Sequence, residues 1–118
     1  MKTDLAYLRE MSGGNKELIK EMISIFNAQV EEFSRGLDDH LANNEYELLG
    51  KLAHKAKSSI SIMGLDHLAK ELKRLELLAK EGKEPDEYSG IISLFKQETQ
   101  IAVKELNDVL LRIDDYFN

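Results

Sequence analysis

Residues 45–81, EYELLGKLAHKAKSSISIMGLDHLAKELKRLELLAKE, decide the fold. Apolar residues recur at three- and four-residue intervals on both sides of Gly64, which predicts two helices, over 45–63 and 65–81. Gly64 stands where a left-handed residue ends the first helix, since glycine takes positive φ without a Cβ penalty. The second helix carries Leu65, Leu68, Leu72, Leu75 and Ala79 on one stripe. So short a break between two amphipathic helices folds them back into a tight hairpin.

Upstream, Asn15 is a capping residue ahead of a stripe of Leu18, Ile19, Met22, Ile23, Phe26, Val30, Phe33, Leu37 and Leu41, which predicts a helix over 15–42. NNE at 43–45 separates it from the hairpin, with Asn44 as the candidate cap, and a short helix over 4–11 precedes the SGGN turn. Downstream, Pro85 in EGKEPD forbids continuation of the hairpin, and a last helix over 86–116 presents Ile91, Ile92, Phe95, Ala102, Leu106, Val109, Leu110 and Ile113. The expectation is all-α: an antiparallel up-and-down four-helix bundle with a short additional N-terminal helix, in one domain over 1–118.

Composition removes several function classes. With no cysteine there are no disulfides, thiolate metal sites or cysteine nucleophiles. Sixteen basic against twenty-two acidic residues give a net charge of -6, which repels a nucleic-acid backbone. No apolar run approaches the ~20 residues that span a bilayer, and MKTDLAYLRE has acidic residues where a signal peptide needs an unbroken apolar region. A cytoplasmic protein with neither nucleic-acid nor membrane partner is expected. Glycine-rich phosphate loops and kinase motifs are missing too, so ATP is not an expected ligand.

On a helical wheel of about 100° per residue, Leu49, Leu52, Ile60 and Met63 fall within roughly 40° of Ala56, while His54 points roughly 160° away. Its outward neighbours are Lys51 and Lys57 at three residues, Gly50 and Ser58 at four, and Glu47 and Ser61 at seven. A glycine inside a helix costs about 0.5–1 kcal/mol relative to alanine, so Gly50 and the serines suggest room left for another backbone or domain to approach. Lysines one turn away disfavour imidazolium and favour a dianionic group on the ring, which suits phosphorylation of a ring nitrogen. No Ser-His-Asp spacing for acyl transfer is legible. His40 and His67 read as surface residues. The three histidines make no metal-ligand spacing, and no Glu-x-x-His pair falls on a core-facing stripe, so no metal is expected.

AHKAKSSISIMG at 53–64, followed by LAKELKRLE at 68–76, resembles the histidine-containing phosphotransfer (HPt) domain family. That family has His-x-Leu-Lys-Gly, small residues, a glycine that closes the helix, and a second helix ending near Leu-Glu, set in a bundle of about this length. The resemblance implies that His54 is the phosphoacceptor and that Lys57 supports the phosphoryl group. Ala56 stands where the family often has Leu, and Ser58 where it usually has Gly. The serine hydroxyl either crowds the imidazole or hydrogen-bonds the phosphoryl oxygens.

The resemblance further implies a phosphorelay intermediate without autonomous kinase activity. His54 accepts a phosphoryl group from a receiver-domain phospho-aspartate and passes it to another receiver aspartate. Response-regulator receiver domains and a hybrid sensor histidine kinase are then the partners, and Gly50, Lys51, Lys55, Ser58, Ser61 and the apolar Ile62 form the docking face. The chain itself needs no cofactor, because Mg²⁺ belongs to the receiver. A monomer is the default for a bundle whose stripes are all used internally. The alternative is a helical protein-protein interaction module without phosphotransfer, which would retain its function in His54→Gln.

Overall fold

Four long amphipathic helices each carry an apolar stripe, and each stripe is buried against the others. The computed structural model describes residues 1–117, which form helices joined by short turns, with no strand among them. In chain order the helices are α1 (Ala6–Ser12), α2 (Lys16–Ala42), α3 (Tyr46–Ile62), α4 (Asp66–Glu81), α5 (Tyr88–Leu111) and a single turn, α6 (Ile113–Tyr116). A 3₁₀ turn, Pro85–Glu87, leads into α5.

Cross-helix pairs give the directions. A Cβ at Gly36 of α2 would meet Leu52 of α3, and Ser59 of α3 donates to Gln29 of α2 at 2.8 Å, so the two helices run antiparallel. Lys96 pairs with Asp38, and Asn27 donates to Asn107, which orients α5 against α2 in the same sense. Since α2 and α4 each pack against α3 and α5, the four helices close a ring, drawn out to 47 Å by 20 Å by 20 Å.

Phe33, Leu37, Leu49, Leu72, Leu75, Phe95 and Leu106 fill the interior. Burying a side chain of this kind stabilises by about 1.5–3 kcal/mol. Tyr88 is also fully buried, with its hydroxyl 2.9 Å from the Leu78 carbonyl and 2.6 Å from that of Lys83, where α4 runs out of internal donors. Among the described residues no helix is long and apolar enough to cross a membrane.

The ends of the elements depart from the sequence-based expectation. Asn15 caps α2 by accepting from the Leu18 N–H, as its position predicts. Asn44, expected to cap α3, instead takes a left-handed φ of 56° inside the connection, and Glu45 occupies the N-cap position. Helix α1 starts at Ala6 rather than Asp4, because the Asp4 carboxylate accepts from the Ala6 N–H while the Asp4 N–H reaches across to the Met63 carbonyl. The last helix does not run unbroken over 86–116. It leaves helical geometry at Arg112 (φ -126°, ψ 44°), which lets Phe117 fold back and become buried under the Arg9 guanidinium.

Gly64 has a φ of 79°, and a Cβ there would lie 2.4 Å from the Cβ of Asp4. Handedness and close approach therefore both demand glycine at the end of α3. The incoming segment is fastened at its other side by Glu105 of α5, which accepts from the N–H groups of Lys2 and Thr3 and from the Thr3 hydroxyl at 2.8–2.9 Å.

Candidate functional site

Helical spacing puts Leu49, Ala53, Ala56 and Ile60 of α3 in the core and leaves His54 on the outside, with its side chain 64% exposed. Gly50, expected to clear space for a partner, is buried within the bundle. A Cβ there would lie 3.2 Å from the Glu76 carbonyl oxygen, 3.5 Å from the Lys80 nitrogen and 3.6 Å from the Ala79 Cβ. Its small size thus serves the approach of α4, and Gly50 forms the floor of a groove instead of an outer contact.

That close approach brings Glu76 of α4 onto the face of α3. Its Oε2 lies 3.0 Å from His54 Nδ1 and its Oε1 3.5 Å from Lys57 Nζ, so one carboxylate bridges both residues. An ionised carboxylate only accepts, hence Nδ1 carries the hydrogen and the neutral ring keeps its lone pair on Nε2. The imidazole is thereby held in one tautomer, with its nucleophilic nitrogen on the side away from Glu76.

Burial of Glu76 pushes its carboxyl pKa up. The hydrogen bond from His54, with the attraction of His54 and Lys57, outweighs that and holds it below the ordinary glutamate value. The surround read from sequence, with Lys51, Lys57 and Glu47, thus gains a second carboxylate that contacts the imidazole directly. Glu76 escaped the sequence reading because it lies 22 positions beyond His54, on another helix. A signal existed: it sits one turn after Leu72, so it flanks the apolar stripe of α4 on the seam with α3.

The remaining candidates fall into two groups. Lys57 is half-buried and tied to Glu76; Lys51 is exposed and 3.6 Å from Glu47. Lys55, Ser58 and Ser61 are exposed. Ile62 is half-buried and lines a groove of about 190 Å³ with Met22, Ile25 and Phe26 of α2, which places an apolar strip along one flank of the histidine helix. On the other flank, a groove of about 380 Å³ runs beside the imidazole, lined by Glu47, Gly50, Lys51, His54, Glu76 and Lys80. His40 is 3.1 Å from Glu45, and His67 is exposed, both apart from this site. No group of three or more His, Asp or Glu residues arranged to hold a metal ion occurs among the described residues.

An exposed nitrogen nucleophile, backed by a carboxylate on its second nitrogen and by a lysine, is equipped to attack an electrophile that brings negative charge with it. Residues 21–110, more than half of the chain, match the family model described as the Hpt domain. No curated protein and no solved structure matches the chain.

Proposed function

The chain belongs to the Hpt domain family, which serves histidine phosphotransfer in phosphorelay signalling with receiver domains as partners, and from that premise we propose that His54 is its phosphoacceptor. The observation that carries this assignment is the bridge from Glu76 to His54 Nδ1 and Lys57 Nζ, beside an imidazole that is otherwise open to solvent.

In the proposed reaction, His54 Nε2 attacks the phosphorus of a receiver's phospho-aspartate in line. The P–O bond breaks and its electron pair leaves with the aspartate carboxylate. The Nδ1 proton stays in place, so the phosphorylated ring gains positive charge, 3.0 Å from the Glu76 carboxylate. A charge-assisted hydrogen bond of this kind contributes about 1.5–3 kcal/mol, or about 10- to 100-fold in rate where it strengthens in the transition state. Onward transfer reverses the flow: a carboxylate oxygen of a second receiver attacks phosphorus, the N–P bond breaks, and the pair returns to Nε2. Lys57, supported by Glu76, attends the phosphoryl group. Mg²⁺ is supplied by the receiver, and a hybrid sensor histidine kinase is the source of the donor receiver.

The docking face has Lys51 and Lys55 as exposed cations that attract an acidic receiver pocket to a chain of net charge -6. Ser58 and Ser61 keep that face low, and Ile62 with Met22 and Ile25 offers the apolar contact. Incubation with a phosphorylated receiver domain checks the proposal: an acid-labile, base-stable phosphate is expected on the wild-type chain and none on His54→Gln. His54 is largely exposed, so the variant should unfold within about 0.5 kcal/mol of wild type. Equal labelling of the two proteins would assign the acceptor elsewhere.

A further inference from the structure

Beside His54 the groove that separates the imidazole from the C-terminal turn of α4 contains two cations, Lys51 and Lys80. Lys51 lies 3.6 Å from Glu47. Lys57, on the far side of the ring, is engaged by Glu76. Lys80 makes no ion pair among the described residues, although its residue is exposed and Glu47 and Glu76 line the same groove.

Its position follows from the seam. α3 and α4 run antiparallel, Gly50 is one turn before His54, and Lys80 is one turn after Glu76. The rung formed by Gly50 and Lys80, where the Lys80 backbone nitrogen lies 3.5 Å from the Cβ that Gly50 lacks, is therefore next to the rung formed by His54 and Glu76. A lysine side chain spans about one helical turn, so the Lys80 ammonium can extend along the groove from α4 toward the ring.

Resting on the assignment of His54 as acceptor, we propose that Lys80 is a second phosphoryl-binding cation, closing on the group from the groove side while Lys57 stays engaged with Glu76. When Nε2 takes the phosphoryl group from an acyl phosphate and the carboxylate leaves with the P–O electron pair, a dianionic group is left on the ring. Lys80 supplies a positive charge to it without breaking an existing pair. Lys57 must divide its charge between the phosphoryl group and Glu76. The ordinary role of a lysine in the last turn of a helix is to complement the helix dipole. That role predicts a change in stability alone.

The test labels the protein chemically with potassium phosphoramidate, a small phosphoryl donor that needs no partner, and follows the phosphohistidine by ³¹P NMR against pH. In Lys80→Gln the titration of the phosphoryl group is expected to move up by about half a pH unit, because a cation that favoured the dianion is gone. Lys80→Arg restores the wild-type midpoint. Lys104→Gln, which removes the same charge from the α2–α5 groove, leaves the midpoint unmoved. Transfer from a phosphorylated receiver falls about tenfold in Lys80→Gln. Coincident titrations of Lys80→Gln and wild type would overturn the proposal while leaving His54 as acceptor. A wild-type chain that takes no label, or one that labels equally in His54→Gln, would overturn the acceptor assignment and this proposal with it.

Discussion

Two partly buried carboxylates, Glu76 on the α3–α4 seam and Glu105 on the outer side of α5, have their pKa values lowered although burial pushes both up. They differ in who donates. Glu105 is held by backbone N–H groups of Thr3 and Lys2 and by the Thr3 hydroxyl, groups fixed by the course of the chain. Glu76 is held by an imidazole and an ammonium at the ends of side chains. A carboxylate on fixed donors acts as a fastener, here lacing the N-terminal segment to the bundle. One on reactive and mobile donors is coupled to their chemistry, because every change of charge on His54 or Lys57 alters its own energy.

Substitutions separate the two roles. Glu76→Ala should lower the rate of phosphoryl transfer about 10- to 100-fold, and Glu76→Gln less, since an amide oxygen still accepts from Nδ1. Single-turnover transfer from a phosphorylated receiver measures both. Equal rates for Glu76→Ala and wild type would reduce Glu76 to a fastener like Glu105.

On the fastener side, the largest effect falls at the turn that the N-terminal segment grips. Gly64→Ala places a Cβ at positive φ and 2.4 Å from Asp4, so a loss of about 2 kcal/mol or more in chemical denaturation is expected. Glu105→Ala follows with a loss of about 1–2 kcal/mol and an unchanged transfer rate, as its three donors are left to water.

The smallest effect is in pH. A carboxyl whose folded pKa is depressed stabilises the fold above its unfolded value, and that stability is lost as pH falls through the folded value. The unfolding midpoints of wild type and Glu105→Ala should therefore differ most above the ordinary value of 4.5 and converge as pH drops below it. Divergence on acidification would contradict the assignment of Glu105 as an ionised clasp.

Much of the site was legible because helical periodicity is local. The spacing of Leu49, Ala56 and Ile60 tells which way His54 points, and the three-residue spacing from His54 to Lys57 puts both on one side of α3. Glu76 and Lys80 required the fold. That they line one groove with His54 depends on how closely α3 and α4 approach and at what axial register, which Gly50 permits but no local pattern announces. The same holds for Gly50 itself: a small residue on a wheel reads equally as clearance for a partner or as clearance for a neighbouring helix, and only packing chooses.

By itself, then, the sequence determined the helices, their buried faces, the exposed histidine and the glycine that turns the hairpin, all of which rest on interactions within a few residues. The tertiary structure alone decided that a carboxylate fixes the tautomer of that histidine, that Gly50 faces inward, and that residues 2 and 3 are tied to α5. Those are contacts between segments far apart in the chain, set by the distance and register at which packed helices come to rest.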